Sequence, residues 1–250
     1  MEYGVPHWSA QLHWVETVSN APTLVVNGEP MSKPLHIDFV SDISCPWCAV
    51  GLASLLQAIS QVTDVDVDVH FQPFELNPNM PAGGQNSMAH IAAKYNIGFD
   101  EVTRNRERIR ERGRELGFAF NLDQESRVYN TFNAHRLLHW AGTLAASEQM
   151  ALKWNLLKAY FSDNEDVSDR ETLARIASDS GLDAIQAIDI LDSDRYADDV
   201  RASQAYFRER GIQSVPAIII DNQHLISGGQ PPEVFERALR ELGKGAGIDG

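Results

Sequence analysis

The chain has 250 residues, with 35 acidic and 21 basic side chains and a formal net charge of −14 at pH 7. A surface this acidic repels phosphate backbones and anionic lipid headgroups, which excludes general binding to nucleic acids or to membrane surfaces. Apolar residues make up 43% of the composition, which is enough for a packed core. The sequence holds no uncharged apolar run near the ~20 residues that a membrane-spanning helix needs.

The N-terminal stretch lacks the features of an export signal. Residues 1–30 contain no basic segment followed by a continuous apolar one. Two cysteines are too few for a disulfide framework, so we expect a soluble cytoplasmic protein, where structural disulfides are rare. Met31 offers a second start, so residues 1–34 are interpreted as an N-terminal extension. Whether residues 1–30 belong to the native protein or reflect an upstream start assignment stays open.

The first elements in chain order predict a β-α-β unit. Residues 35–40 form a short apolar run of strand-forming side chains. Residues 48–62 then place apolar side chains at helical spacing, and residues 65–76 alternate strictly, which is typical of a strand. Strand, helix and strand within about forty residues match the length of one βαβ unit.

The rest of the chain predicts a helical insertion followed by a return to the sheet. Residues 87–211 show helical patterns and no convincing strand, whereas residues 214–229 predict two strands joined by a turn. Residues 230–243 begin with prolines and end at a glycine, as helices often do. We therefore expect an α/β fold with a single sheet and a helical insertion. The predicted parts are an N-terminal extension (1–34), a discontinuous sheet domain (35–83 and 212–250) and an inserted all-helical domain (84–211).

Cys45 and Cys48 are the only cysteines of the chain and lie at the predicted junction from strand to helix. The thiolate is the reactive form of cysteine, and unpaired N–H groups at a helix N-terminus favour that anion at Cys45. Pro46 suits the first helical turn, because its missing N–H would have no partner there. Cys48, one turn further along, is expected to be shielded by the helix. The spacing therefore predicts an exposed, ionised Cys45 that attacks a disulfide and a protected Cys48 that resolves the mixed disulfide.

The cysteine pair has two other interpretations. A zinc site would need a second cysteine pair or two histidines at ligand spacing. No further cysteine exists, and His135 and His139 are predicted on a helix far along the chain, so we expect no metal. The other alternative is a pair of inert core cysteines, which leaves their placement directly after a strand without a reason.

Several segments together resemble the DsbA-like branch of the thioredoxin superfamily, and within it the FrnE-like group. They are DFVSDISCPWCAVG, the helical insertion, GIQSVPAIII and SGGQPPEVF. The resemblance covers about residues 35–243 and implies a thioredoxin-like fold with a large inserted helical domain. It also implies a cis Val215–Pro216 peptide beside the cysteines, where the Val215 backbone can pair with a substrate strand.

The sequence departs from the pattern of these relatives near the cysteines. Many thioredoxin-like enzymes have a buried acid six residues before the nucleophile, where this chain has Phe39. Asp42 lies closer and either assists the chemistry or only caps the turn, so the base is not assigned. Trp47 adds no charge where DsbA has a histidine between its cysteines. A less oxidising disulfide is therefore implied, with a cysteine pair that reduces or isomerises its partners.

Substrate contacts are predicted around the cysteines and on the insertion. Residues 129–141 resemble the insertion helix that faces the active site in this group. The alternative is that the apolar residues of this helix form core and its polar residues are merely exposed. The predicted substrate-binding residues are Pro46, Trp47, Asn133, His135, Val215 and Pro216, with Asn130 and Arg136 as further candidates for the groove.

Acidic side chains and a histidine alternate along the second predicted strand. Asp64, Asp66, Asp68 and His70 share one face of it. A metal site needs ligands that converge from elsewhere as well. We interpret these residues as charges that protect an edge strand from aggregation.

The sequence thus predicts a thiol–disulfide oxidoreductase with no bound cofactor. Electrons would come from glutathione, thioredoxin or partner thiols, and the partners would be thiol or disulfide proteins or small molecules, with a homodimer left open. One alternative is a glutathione-dependent enzyme of the 2-hydroxychromene-2-carboxylate isomerase or kappa glutathione transferase type, in which serine replaces the nucleophilic cysteine. The other is a chaperone-like binding module with no enzymatic activity.

Overall fold

The computed structural model describes residues 34–245, so the predicted extension 1–34 lies outside the described residues except for Pro34. Four strands form the main sheet in the order β2-β1-β5-β6. Strand β1 pairs in parallel with β2 and antiparallel with β5, which in turn pairs antiparallel with β6. The strands are β1 (Leu35–Ser41), β2 (Val67–Pro73), β5 (Ala217–Ile220) and β6 (His224–Ser227).

Seven helices lie between β2 and β5 in the described part of the chain, where the sequence predicts a helical insertion. The expectation of no strand in 87–211 is wrong in one detail, because β4 (Arg127–Val128) pairs with β3 (Gln85–Asn86). The domain boundaries themselves stay a prediction. In residues 34–245 no helix is both long and apolar enough to cross a membrane. The helices are α1 (Pro46–Gln61), α2 (Ser87–Tyr95), α3 (Phe99–Glu115), α4 (Phe132–Leu144), α5 (Ala146–Phe161), α6 (Arg170–Asp179), α7 (Ala184–Leu191), α8 (Ala197–Glu209) and α9 (Pro232–Gly245).

Strand β1 lies at the centre of the core and is covered on both faces. Ile37 and Phe39 are fully buried on one face and lie opposite Ile220 and Ile218 of β5. Helices α1 and α9 pack against each other, and α9 also contacts β1. Val40 points to the other face and packs in a second apolar cluster that includes Phe207 of α8. Strand β1 is therefore buried along nearly its whole length, including the polar side chains of Asp38 and Ser41.

The outer edge of β2 is closed by a side chain of the insertion. Gln149 of α5 is buried, and its amide oxygen accepts a hydrogen bond of 2.9 Å from the Phe71 N–H. Its amide nitrogen donates to the carbonyl oxygens of Phe71 and Leu138, both at 3.1 Å. An edge strand leaves backbone groups unpaired, and Gln149 pairs two of them where α5 covers the sheet. This contact joins the helical insertion to the sheet that holds the cysteines.

Candidate active site

Cys45 occupies the N-cap position of α1, immediately after the loop that follows β1. Its backbone is extended, with φ −96° and ψ 110°, and Pro46 begins the helix. The Cys48 N–H donates to the Cys45 carbonyl oxygen at 3.0 Å, which places Cys48 one turn along. The first turn of α1 holds no acidic side chain, so nothing there opposes an anion at the helix N-terminus.

Both cysteines are buried, which corrects the prediction that Cys45 is exposed. Cys45 is 5% exposed and Cys48 is fully buried. The physical reason lies in a distant segment: the Val215 carbonyl oxygen is 3.7 Å from the Cys45 sulfur, within reach of a weak S–H hydrogen bond. Trp47, between the cysteines, is 42% exposed and presents an apolar surface next to them. The protected position predicted for Cys48 agrees with its burial.

The thiol of Cys48 resists ionisation. Burial raises its pKa well above the usual value, and the neighbouring Cys45 sulfur raises the pKa further. The charge of Lys153 acts in the opposite direction. Cys48 therefore stays protonated unless a nearby group accepts its proton.

The Val215–Pro216 peptide is cis and packs against α1. A β-carbon at Gly51 would lie 3.1 Å from the Pro216 ring, and one at Gly229 would lie 3.0 Å from the Trp47 carbonyl oxygen. Only glycine at these two positions allows so close an approach without displacing a neighbour. The helix and the loop thus hold Val215 beside Cys45, although the two are distant in sequence.

Asp42 is fully buried in the loop before Cys45 and joins that loop to the insertion. Its carboxylate accepts hydrogen bonds from the Ser44 hydroxyl at 2.8 Å, the Leu76 N–H at 2.7 Å and the Thr131 hydroxyl at 2.8 Å. Burial alone would raise its pKa, but the charge and N–H of His135, with these hydrogen bonds, lower the pKa to about 2. Asp42 is thus a charged anchor for the loop.

The insertion residues predicted to bind substrate do not line an open groove at the cysteines. His135 is 2% exposed, and its Nε2 faces the Phe74 carbonyl oxygen at 3.1 Å and Asp42 at 3.6 Å. Because both neighbours accept, Nε2 carries the hydrogen, and the groove prediction for His135 is corrected to a structural contact. Asn133 accepts a hydrogen bond from Arg136 at 2.9 Å and lines a cleft that does not include the cysteines.

The two further groove candidates are also tied to the protein. The Asn130 side chain donates to the Pro78 carbonyl oxygen at 3.3 Å. Arg136 is buried, and its guanidinium donates to the carbonyl oxygens of Ile190, Ser193 and Arg195. These contacts order the insertion and leave its substrate contacts unassigned.

Sequence analysis missed Lys153, which lies in an apolar stretch of α5. Its side chain is fully buried, and its Nζ has no hydrogen-bond partner among residues 34–245. Burial lowers its pKa from 10.5 to about 8, against the attraction of Cys48, Asp42 and Cys45. A lysine inside an apolar helical stripe is the one signal in the sequence that could have drawn attention to it.

On the neighbouring strands β1 and β2, the structure brings a third ligand-type side chain to Asp68 and His70. His36 of β1 joins them, with one ligand atom of each residue within 4.8 Å of the others. The Asp68 carboxylate and His70 Nε2 already contact each other at 2.7 Å. Asp64 and Asp66 precede β2, and β2 is an edge strand as predicted. The expected absence of a metal stays a prediction.

The sheet, the CxxC pair at the N-terminus of α1 and the cis proline beside it define a thioredoxin-like fold with a helical insertion. The model of the DSBA-like thioredoxin domain matches residues 36–240, so the chain belongs to this family. The predicted fold class and the predicted branch of the superfamily are thereby confirmed. The FrnE-like subgroup stays a prediction.

Three individual proteins are also similar to this chain. The crystal structure of probable DsbA oxidoreductase SCO1869 from Streptomyces coelicolor is 30% identical, with a TM-score of 0.77 over 83% of this chain and 89% of that one. Uncharacterized protein YwbO of Bacillus subtilis is 26% identical over 83% of this chain and 96% of its own length. The cytosolic disulfide reductase DsbM from Pseudomonas aeruginosa, solved with GSH, shares the fold at 17% identity, with a TM-score of 0.56 over 83% of this chain and 98% of that one.

Proposed function

We propose that the protein is a thiol–disulfide oxidoreductase in which Cys45 is the nucleophile and Cys48 resolves the mixed disulfide. The observation that carries the proposal is the placement of Cys45 at the N-terminus of α1, with its sulfur 3.7 Å from the Val215 carbonyl oxygen. Family membership supports it, because the matched family is one of DsbA-like thioredoxin domains.

The chemistry proceeds in two exchanges. The Cys45 thiolate attacks one sulfur of a substrate disulfide, forms a mixed disulfide and releases the other sulfur as a thiolate. Cys48 then loses its proton and attacks the Cys45 sulfur, which forms the Cys45–Cys48 disulfide and releases the second substrate thiol. Two electrons pass from the cysteine pair to the substrate, and donor thiols restore the pair by the reverse exchanges.

Substrate reaches Cys45 through the surface around Trp47 and the 215–216 loop. Trp47 is exposed beside the sulfur and offers an apolar contact. The Val215 backbone adjoins the sulfur and can pair with an extended substrate segment, while the buried Pro216 sets the path of the loop. Because Cys45 itself is nearly covered, substrate binding has to shift this loop or Trp47 slightly.

We further propose that the pair acts as a reductase or isomerase in the cytoplasm rather than as a strong oxidant. Trp47 places no positive charge between the cysteines to stabilise the reduced form. The Pseudomonas aeruginosa protein, a cytosolic disulfide reductase solved with GSH, is a precedent for that activity on this fold. Glutathione is accordingly the first donor to test, since the cytoplasm keeps it reduced.

The nucleophile test uses trapping of the mixed disulfide. In Cys48→Ser, a disulfide-bonded peptide should remain attached at Cys45, and mass spectrometry should find the adduct there. Cys45→Ser should form no adduct at position 48 at a comparable rate. Full activity of Cys45→Ser on a small-molecule substrate would overturn the assignment and favour a glutathione-dependent isomerase or transferase, which uses serine at this position.

The direction of electron flow is tested by redox titration against glutathione. We expect a potential within the cytosolic range of roughly −220 to −320 mV, whereas a value near −120 mV would indicate an oxidant. Suppression of client aggregation that persists in the Cys45→Ser, Cys48→Ser double variant, without any exchange activity in the unaltered protein, would instead favour a chaperone-like module.

A further inference from the structure

The cationic side chain of Lys153 is buried and makes no hydrogen bond to another described residue. It lies in the middle of α5, is fully buried, and its Nζ makes no hydrogen bond within the described range 34–245. The ring centroid of Phe71 of β2 lies 5.7 Å from Nζ. An unpaired buried ammonium is costly, so a lysine here needs an explanation beyond packing.

The position of Lys153 places it in the same layer as the cysteines. Phe71 packs on Phe39, with ring centroids 5.7 Å apart. The Phe39 ring in turn lies against α1, 3.6 Å from the position of a β-carbon at Gly51. These contacts connect Lys153 to the face of the sheet that packs against α1, and the charge of its ammonium acts on the buried Cys48 thiol.

Several titratable groups face Lys153 from the elements around it. The charges of Cys48, Asp42 and Cys45, at the start of α1 and in the loop before it, act on the Lys153 ammonium. His135 and His139 of α4 line the same small cavity as the lysine, about 10 Å³ in volume, which has room for about one water molecule. On β1, the position six residues before Cys45 holds Phe39, and the carboxylate of the neighbouring Asp38 accepts a hydrogen bond from the Gln72 side chain at 2.7 Å.

Resolution of a mixed disulfide requires a buried base near Cys48. Its thiol is fully buried and its pKa is raised, so the proton cannot pass readily to bulk water. Asp42 is a poor acceptor, because its pKa is about 2 and four protein groups already donate hydrogen bonds to it. Lys153 Nζ makes no hydrogen bond to a described residue. Its pKa of about 8 leaves part of the amine neutral near physiological pH.

We propose that the neutral amine of Lys153 accepts the proton of Cys48 as Cys48 attacks the mixed disulfide. The proposal rests on the thiol–disulfide function proposed above. The S–H bond of Cys48 breaks, its electron pair forms the new bond to the Cys45 sulfur, and the electrons of the mixed disulfide leave with the substrate thiolate. The proton moves to Nζ, and the ammonium then passes it to the departing thiolate or to water. In the reverse direction, Lys153 returns a proton to Cys48 when the pair is reduced.

The test separates the two exchanges with the chromogenic disulfide dithiobis(nitrobenzoate). Reduced protein should release one coloured thiol when Cys45 attacks and a second when Cys48 resolves, which stopped-flow absorbance resolves in time. In Lys153→Met we expect the first release to be unchanged and the second to be slowed by about 100-fold, the scale of a general base. Lys158→Met, an exposed lysine of the same helix, is the matched control and should behave as the unaltered protein.

The pH profile distinguishes a proton acceptor from a packing residue. In the unaltered protein, the rate of the second release should rise with pH through about 8, the pKa of Lys153. Lys153→Met should lose this inflection and retain only the rise caused by ionisation of Cys48 itself at higher pH. The measurement on the unaltered protein needs no variant, so the proposal can be tested even where Lys153→Met does not fold.

Two results would overturn the role of Lys153. One is a second release in Lys153→Met that matches the unaltered protein across the pH range, and the other is a native profile with no inflection near pH 8. Failure of the proposed thiol–disulfide oxidoreductase function would give a different result. In that case the unaltered protein would show no two-step release, or Cys45→Ser would release thiol as fast as the unaltered protein.

Discussion

The α-carbon of Gly51 faces the ring of Pro216 so closely that a β-carbon at position 51 would lie 3.1 Å from the Pro216 Cγ. The same β-carbon would lie 3.6 Å from the Phe39 ring. This contact sets the distance between α1 and the 215–216 loop. It therefore also sets the position of the Val215 carbonyl group relative to the Cys45 sulfur.

A larger side chain at position 51 should separate these two elements. We expect Gly51→Val to lower the free energy of unfolding by about 1–3 kcal/mol, the usual cost of overpacking a core. The reaction of Cys45 with a peptide disulfide should slow as well, because the loop moves away from the sulfur. Urea unfolding and stopped-flow thiol release measure the two effects.

The control for this prediction is Gly98→Ser, because serine is a favourable residue at a helix N-cap. Gly98 caps α3, and a β-carbon there would meet no atom within 4 Å. Both properties should be close to those of the unaltered protein. A Gly51→Val protein with unchanged stability and unchanged reactivity would show that the contact with Pro216 does not position the loop.

Removal of the Gln149 side-chain amide should unpair the outer edge of β2. Gln149→Leu leaves the N–H and C=O of Phe71 buried without partners, so we expect a loss of about 2–4 kcal/mol in the free energy of unfolding. Gln57→Leu, an exposed position on α1, should change stability by less than about 0.5 kcal/mol. Equal effects of the two substitutions would contradict the edge-pairing role of Gln149. Chemical denaturation of both variants decides the point.

Asp42 should make stability depend on acid pH. Its folded-state pKa is about 2 against 3.8 for a free aspartate, so it contributes stability that is complete above about pH 4. That contribution, about 2 kcal/mol by linkage, is lost as the pH falls from 3.8 through 2. Asp42→Asn should be less stable than the unaltered protein at neutral pH, and the difference should shrink toward pH 2. A difference that stays constant from neutral to acid pH, measured by urea unfolding, would argue against a charged Asp42.

Lys153 should make stability depend on pH in the alkaline range, with the opposite sign. Its pKa falls from 10.5 to about 8 on folding, so the penalty for burying the ammonium is complete below pH 8. The penalty to the free energy of unfolding is relieved as the pH rises from about 8 to 10.5. At neutral pH it amounts to about 3 kcal/mol. Lys153→Met should therefore be more stable than the unaltered protein at pH 7, with an advantage that narrows above pH 8. Loss of stability in Lys153→Met at every pH would mean that the lysine contributes to the fold.

The sequence by itself determined the local elements and the redox pair. Alternation and helical spacing locate β1, α1 and β2, because each pattern reflects which side of a single element is buried. Pro46 marks the start of α1, and Cys45 before it follows from the same local chemistry. The family could be predicted for a related reason: its motifs are short, and each depends on neighbours in the chain.

Only the tertiary structure decided what surrounds the sulfurs. Val215 lies 170 residues from Cys45 in sequence and covers its sulfur, so a cysteine predicted to be exposed is nearly buried. His135 was predicted for a substrate groove and instead contacts Asp42 in the core. The sequence analysis does not select Lys153, which lies in a helical apolar stretch, although its side chain is fully buried. Burial and partner choice arise from packing between distant segments, and no periodicity within one segment encodes them.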